Sequence, residues 1–207
     1  MTPTEARINA AAMRLFASRG GPDVTMSELA EEAQVARGTL YRNIESVEKL
    51  YSSLIDSITT EIHAGIAATL DNTGADDPAL RLATGIRLFT RLPHDNPPLG
   101  RFVVRFGLTE ESLHTVLAGP PMRDIDTGIA TGRYTVPATM ALSIASLVVG
   151  STVSAMGSVL EGRQTWRDAG SSIAELILRA LGIAPEEARR IATAHLPRPA
   201  AEPRASR

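Results

Sequence analysis

The chain reads as an all-α protein, with an N-terminal three-helix head joined by a long fourth helix to a C-terminal helical body. Apolar residues recur every three or four positions through most of the sequence, which is the spacing of one helix face. No stretch alternates at period two with β-branched residues over a useful length, so no sheet is expected. Clusters of Gly, Pro, Asp and Asn fall between the periodic segments, where they end helices. With 207 residues, 43% of them hydrophobic and 21% charged, the composition is that of a soluble globular chain able to bury one sizeable core or two small ones. The net charge of −2 provides no overall basic field, so any surface that meets nucleic acid must be local.

The first helix is expected over Thr4 to Arg19, with Ile8, Ala11, Ala12, Leu15 and Phe16 on its inner face and Gly20-Gly21-Pro22 as its stop. Thr25, with Glu28 three residues on, forms a capping box that opens a second helix. Leu29, Ala30 and Ala33 face inward, and this helix ends near Gln34, where the apolar beat resets at Val35 and resumes at Leu40, Tyr41 and Ile44. Ala30 is small where two helices cross over a turn of three or four residues, as a helix-turn-helix requires.

A third helix, about Ala36 to Ile44, displays Arg37, Thr39, Tyr41, Arg42 and Asn43 with no acidic residue among them, and Gly38 allows close approach to a groove wall. Such a face suits DNA: Arg offers a fork for guanine edges, while Thr, Tyr and Asn reach phosphate oxygens. From Val35 to Leu50 the basic residues Arg37, Arg42 and Lys49 stand against Glu45 and Glu48, an excess of one positive charge. Arg42 has two readings, phosphate contact or a surface pair with Glu45. Ser46 then caps a fourth helix to about Leu70, with Leu50, Leu54, Ile58, Ile62 and Ile66 on one face.

Turn residues at Asp71 to Gly74 and Asp76 to Pro78 separate this rod from the body. A fifth helix is expected from Pro78 to Leu92, then a loop over Pro93 to Pro98. Helices of about Leu99 to Leu108, Thr109 to Leu117 and Pro121 to Ala130 follow. Val136 to Leu160 carries no charge. Its length would cross a bilayer, but Ser and Thr recur throughout and no aromatic belt or basic loop flanks it, so it reads as a helix buried on most sides. Ser146, Gly150, Ser154 and Ser158 form a small-residue ridge along it. A further helix, Thr165 to Leu181, repeats Trp166, Ala169, Ile173, Leu176, Ile177 and Ala180 at helical spacing; the two together make half of a four-helix bundle. A short helix over Pro185 to His195 and a Pro-, Ala- and Arg-containing tail, expected to be disordered, complete the chain.

The run VARGTLYRNIESVEKLYSSL, preceded by TMSELAEEA, resembles the signature of the tetracycline-repressor (TetR) family of transcriptional regulators over roughly residues 5 to 54. The resemblance implies a helix-turn-helix DNA-binding domain over residues 1–46, a ligand-binding and dimerisation domain over 47–196, and a tail over 197–207. Carried over by position, it places base-edge contacts at Arg37 and Gly38, phosphate or mixed contacts at Thr25, Thr39 and Tyr41, and a phosphate contact at Asn43. Three residues depart from the family pattern. Gln34 stands in place of the usual turn Gly, where a left-handed backbone costs about 1 kcal/mol. Ile44 replaces Phe. Val47 replaces a Lys that would anchor phosphate, a role for which Lys49, the sole lysine, is the candidate substitute.

In the body, the resemblance implies an effector site between the fourth helix and its neighbours, for which His63, Phe89, Phe102, Arg105, Phe106, His114 and Met140 are the candidates. It also implies a homodimer whose paired helices bring Ser146, Gly150, Ser154, Trp166, Ile173 and Ile177 to the two-fold axis. The expected partners are a palindromic double-stranded DNA operator and a small-molecule effector; no membrane, cofactor or metal is expected, and the expected compartment is the cytoplasm. The four histidines lie on four different elements, no phosphate loop or nucleophile elbow occurs, and there is no cysteine. An enzyme is therefore not expected, and an all-helical small-molecule enzyme or a membrane-anchored sensor is the alternative reading. The function the sequence predicts is that of a ligand-responsive homodimeric transcriptional regulator, and the resemblance implies that such a regulator is most often a repressor.

Overall fold

The computed structural model describes residues 2–72, 76–109 and 119–197 and is helical throughout, with no strand among them. The head comprises α1 (Pro3–Arg19), α2 (Met26–Glu32) and α3 (Arg37–Asn43), followed by the rod α4 (Val47–Asp71). The body comprises α5 (Pro78–Asp95), α6 (Pro97–Phe106), α7 (Pro120–Ala130), a 3-10 turn (Ala138–Met140), α8 (Ala141–Leu160), α9 (Trp166–Ala180) and α10 (Pro185–Ala192). The helix expected over Thr109 to Leu117 falls almost wholly outside the described residues, as does most of the tail.

Side chains set the starts of the head helices. Thr2 with Glu5 and Thr25 with Glu28 form reciprocal capping boxes on α1 and α2, and the Ser46 hydroxyl accepts from the Lys49 amide at the start of α4. Between α2 and α3, Gln34 takes the left-handed conformation with φ 53°. Its amide donates to the Glu31 carbonyl and the Val35 amide donates to the Ala30 carbonyl, both at 3.0 Å. This is the helix-ending pattern usually served by glycine. The turn is thus made in the left-handed conformation by Gln, a residue for which that backbone is disfavoured.

At the other end of α5 the structure corrects the sequence reading. The helix runs through Pro93 to Asp95, and α6 begins two residues later at Pro97. Leu92 and Pro93 are buried, the Asn96 amide donates back to the Leu92 carbonyl at 2.8 Å, and the Asn96 side chain caps α6. Gly100 packs so closely on Pro93 that a Cβ there would lie 2.6 Å from the Pro93 Cα. Burial and this contact hold the proline inside the last turn, where only one helical hydrogen bond is lost.

Two main cores result. The head core joins α1, α2, α3 and the first turns of α4, including Ile8, Phe16, Leu29, Leu40, Val47 and Ile55. Phe102 and Phe106 of α6 belong to it as well, so the body reaches into the head. The body core is drawn from α5, α7, α8, α9 and α10, with α5 and α9 in extensive contact. Ile62, Leu92, Leu99 and Met156 form a smaller cluster between them. Arg133 ties the far end together: its guanidinium donates to both Asp77 oxygens, at 2.9 and 3.0 Å, and to Glu187 at 2.8 Å. The guanidinium hydrogen bonds hold the Asp77 carboxyl below its ordinary pKa.

Candidate nucleic-acid surface and interior cavity

On α3, Leu40 is fully buried and Ile44, just beyond the helix, is half-buried, which fixes the rotation of the helix and turns Arg37, Gly38, Tyr41, Arg42 and Asn43 outward. Tyr41 is 63% exposed, unusual for so large an apolar ring in a folded chain. A Cβ at Gly38 would meet nothing within 4 Å, so nothing among the described residues covers that spot. Arg42 Nε donates to the Gly38 carbonyl at 3.2 Å and Asn43 Nδ2 to the Thr39 carbonyl at 2.7 Å. These bonds stay within the helix.

Arg42 is therefore not paired with Glu45, the surface pair the sequence suggested. Glu45 is held by Lys49 Nζ at 2.5 Å. Because both members of that pair are highly exposed, it is weak and exchangeable. Neither Arg37 nor Arg42 has a carboxylate partner among the described residues. The Thr25 hydroxyl is engaged in its cap, donating to Glu28 Oε2 at 2.8 Å, and Arg19 meets the other Glu28 oxygen at 2.7 Å. Thr25 hydrogen bonds, followed by the Arg19 charge, lower the Glu28 pKa. Val47 requires a correction. It is only 5% exposed and sits in the head core, so its difference from lysine is a gain of packing as well as the loss of an anchor.

An interior cavity of about 110 Å³ lies between α4 to α8. Ile62, Ile66, Leu82, Ile86, Val148 and Met156 give it apolar walls. His63, Phe89, Phe102 and Phe106 line it, as their helix positions suggested. Arg105 does not: it projects from the exposed side of α6, and its guanidinium lies against Gly20 at the C-terminal end of α1. A cation there meets the negative end of the α1 dipole. Met140, 46% exposed at the end of the 3-10 turn, also lies away from the cavity. His114 lies outside the described residues.

His63 is the polar centre of the cavity. The residue is 7% exposed, its ring stands 5.2 Å from Phe89, and its Nδ1 makes no well-formed hydrogen bond among the described residues. Burial pushes its pKa down to about 4, against a weaker opposing pull from the Thr59 backbone, so the imidazole is neutral at physiological pH. Arg81 and Asp124 close another part of the wall with an ion pair at 2.9 Å. Sequence reasoning missed these two, because they are 43 residues apart and only the packing of α5 on α7 joins them.

The residues expected between subunits divide. Ser146 and Ser154 are exposed, Gly150 is open with nothing within 4 Å of a Cβ, and Ile173 is half-buried. Trp166 and Ile177, 9% and 2% exposed, are already buried inside the chain and leave the set. Leu142, Leu147 and Leu176, at 64%, 43% and 58% exposure, are the large apolar side chains left uncovered on α8 and α9. The expectation that α8 is buried on most sides therefore fails for a single chain. This helix with its preceding turn is long and apolar enough to cross a membrane by length and composition, yet its inner face forms part of the body core.

Comparison with known proteins agrees with this arrangement. Residues 8–53 match the family described as bacterial regulatory proteins, tetR family, and residues 77–194 match the tetracyclin repressor-like C-terminal domain. An uncharacterised HTH-type transcriptional regulator of Mycobacterium tuberculosis is 34% identical over 93 residues, and YvkB of Bacillus subtilis, another such regulator, is 30% identical over 94. These matches span 45% of this chain, and 45% and 48% of the respective relatives, so they concern about half of each protein. Among solved structures, RolR in complex with resorcinol is 28% identical with a TM-score of 0.70, covering 94% of this chain and 95% of that one. A putative tetR family regulator from Shewanella sp. PV-4 superposes with a TM-score of 0.74 at 20% identity over 87% of this chain and 98% of its own, a likeness of fold. With both halves matched and the reading helix exposed, the chain belongs to the tetracycline-repressor family of helix-turn-helix transcriptional regulators.

Proposed function

We propose that the chain is a cytoplasmic homodimeric repressor that holds a palindromic operator through α3 and releases it when a small, mostly apolar effector with a hydroxyl group enters the interior cavity. The observation that carries this reading is the sharing of Phe102 and Phe106 between the cavity wall and the head core. Phe16 of α1, Tyr51 of α4, Phe106 and Phe102 form a row of edge-on rings with successive centroids 5.3, 5.3 and 4.8 Å apart. An effector that moves α6 therefore moves side chains on which α1 rests. A differential affinity of about 1 to 3 kcal/mol between the two states is enough for regulation.

The cavity is somewhat smaller than the roughly 150 Å³ apolar hole known to hold benzene, so one ring with modest expansion matches it. Neutral His63, with an unpaired nitrogen, provides a hydrogen-bond acceptor or donor according to tautomer. RolR, whose structure holds resorcinol, supports a phenolic effector. For the dimer, Leu142, Leu147 and Leu176 supply an apolar face beside the ridge of Ser146, Gly150 and Ser154. A two-fold pairing there would set two α3 helices about 34 Å apart for successive major-groove faces. In this scheme Arg37 and Gly38 meet base edges, Thr25, Thr39, Tyr41 and Asn43 serve mainly phosphate, and the head and body divide near residues 46 and 47.

Binding to a selected operator and to a scrambled duplex, with and without resorcinol, tests the proposal. Arg37→Ala should weaken operator binding by about 1 to 3 kcal/mol and flatten the preference between duplexes. Resorcinol should release the native protein from the operator. If Arg37→Ala binds both duplexes as the native protein does, α3 is not the reader; if the phenol has no effect while DNA binding is normal, the effector class is wrong.

A further inference from the structure

A second concavity, of about 530 Å³, opens on the body where the C-terminal half of α5, the start of α9 and the segment after α10 meet. Its chemistry is opposite to that of the interior cavity. Arg87 and Arg91 enter from α5, Arg167 from α9, and Ser171, Thr193 and His195 add polar groups around Trp166. The Arg167 guanidinium lies 4.3 Å from the Trp166 ring centroid and that of Arg91 lies 5.3 Å away.

The positive charge is poorly compensated. Asp95 pairs with Arg91 at 2.8 Å, while Asp168, the nearest acidic residue on α9, is bound to the Thr165 hydroxyl at 2.7 Å. Arg87 is half-buried, and it donates to the Ala194 carbonyl at 2.6 Å with no carboxylate partner among the described residues. Desolvation lowers the Arg87 pKa. The Trp166 indole Nε1 is buried and has no acceptor, although the residue as a whole is 9% exposed. Three guanidiniums facing one carboxylate, beside an unmatched donor, constitute a site short of negative charge and of acceptors. A half-buried cation without a counter-charge is disfavoured, and forked guanidiniums match planar or tetrahedral oxyanions best.

We infer that this concavity is a binding site for a small oxyanion, a carboxylate or a phosphate group, separate from the effector cavity. The anion would lie between Arg87 and Arg167 and supply the acceptors that the guanidiniums lack. Because Arg87 fastens α5 to the chain just after α10, an anion there would also stiffen the C-terminal end of the body.

Trp166 is the only tryptophan in the chain, so its fluorescence reports on this site alone. The intact protein is titrated with inorganic phosphate in one arm and with benzoate in another, at ionic strength held constant with chloride, and calorimetry is run on the same samples. The expected result is saturable binding of at least one of the two anions, weakened about tenfold or more by Arg167→Gln, an exposed change that leaves the Arg87 to Ala194 bond in place. Saturation by phosphate alone assigns a phosphate ligand, by benzoate alone a carboxylate, and by both a general oxyanion site. His63→Leu, in the other cavity, should leave this binding unchanged. Absence of saturable binding by fluorescence and calorimetry, or affinity that Arg167→Gln does not alter, overturns the inference.

Discussion

The head and the body face opposite ways. In the head, the side chains proposed to meet DNA point outward from α3, and the core behind them only fixes its rotation. In the body, the cavity is interior, and its walls come from helices spread over almost a hundred residues, from Ile58 to Met156. An outward face is organised by short sequence separations and can be changed one residue at a time. An interior one exists only as the sum of its packing, so each change there also alters stability. The two meet at α6, where Phe102 and Phe106 serve both.

Removing that shared element should have the largest effect. Phe106→Ala deletes a ring that is 4% exposed, and should lower the free energy of unfolding by about 3 to 5 kcal/mol in denaturant titrations. If the head and body unfold in one transition that shifts as a whole, the shared ring couples them; two transitions of which one moves would separate the regions.

A smaller effect comes from His63. The unfolded chain binds its proton near pH 6.5 and the folded chain only near 4, so the unfolded state holds more protons within this window. Stability should therefore fall as the pH drops from about 6.5 towards 4, by up to about 3 kcal/mol in total. His63→Leu should remove that part of the slope, measured by thermal unfolding across pH, while α3 still binds DNA. A slope unchanged by the substitution would mean that His63 is not desolvated in the folded protein.

The least effect on stability is expected on the head surface. Glu45→Ala breaks only the exposed pair with Lys49 and should change stability by less than about 1 kcal/mol. Freed from its partner, Lys49 can turn to phosphate, so binding to any duplex should tighten and the salt dependence should steepen by about one counterion per subunit. Unaltered salt dependence would take Lys49 out of the DNA surface.

This contrast also governs what the sequence revealed. The capping box at Thr25, the Leu40 anchor and the turn at Gln34 are local, and each was readable from neighbours a few positions away. The cavity was partly readable, since His63 and Phe89 lie on strongly periodic helices whose inner faces must meet. Arg105 and Met140 were misplaced because periodicity names a helix face without fixing which neighbour covers it. Trp166 and Ile177 fit the apolar stripe of α9, but that stripe is consumed by the chain's own core, and the uncovered leucines lie beside it. Val47 looked like a missing charge until the packing at the start of α4 showed it buried. Arg81 with Asp124, and the arginine cluster around Trp166, depend wholly on tertiary approach.

Gly20 ends α1 in the left-handed conformation, which strains any other residue, and a Cβ there would displace the Arg105 guanidinium from its place against α1. It is remote in sequence from the cavity and outside α3. Were the chain the effector-released repressor proposed above, a genetic selection for variants that ignore the effector would nonetheless be expected to return changes at this position, where α1 meets α6.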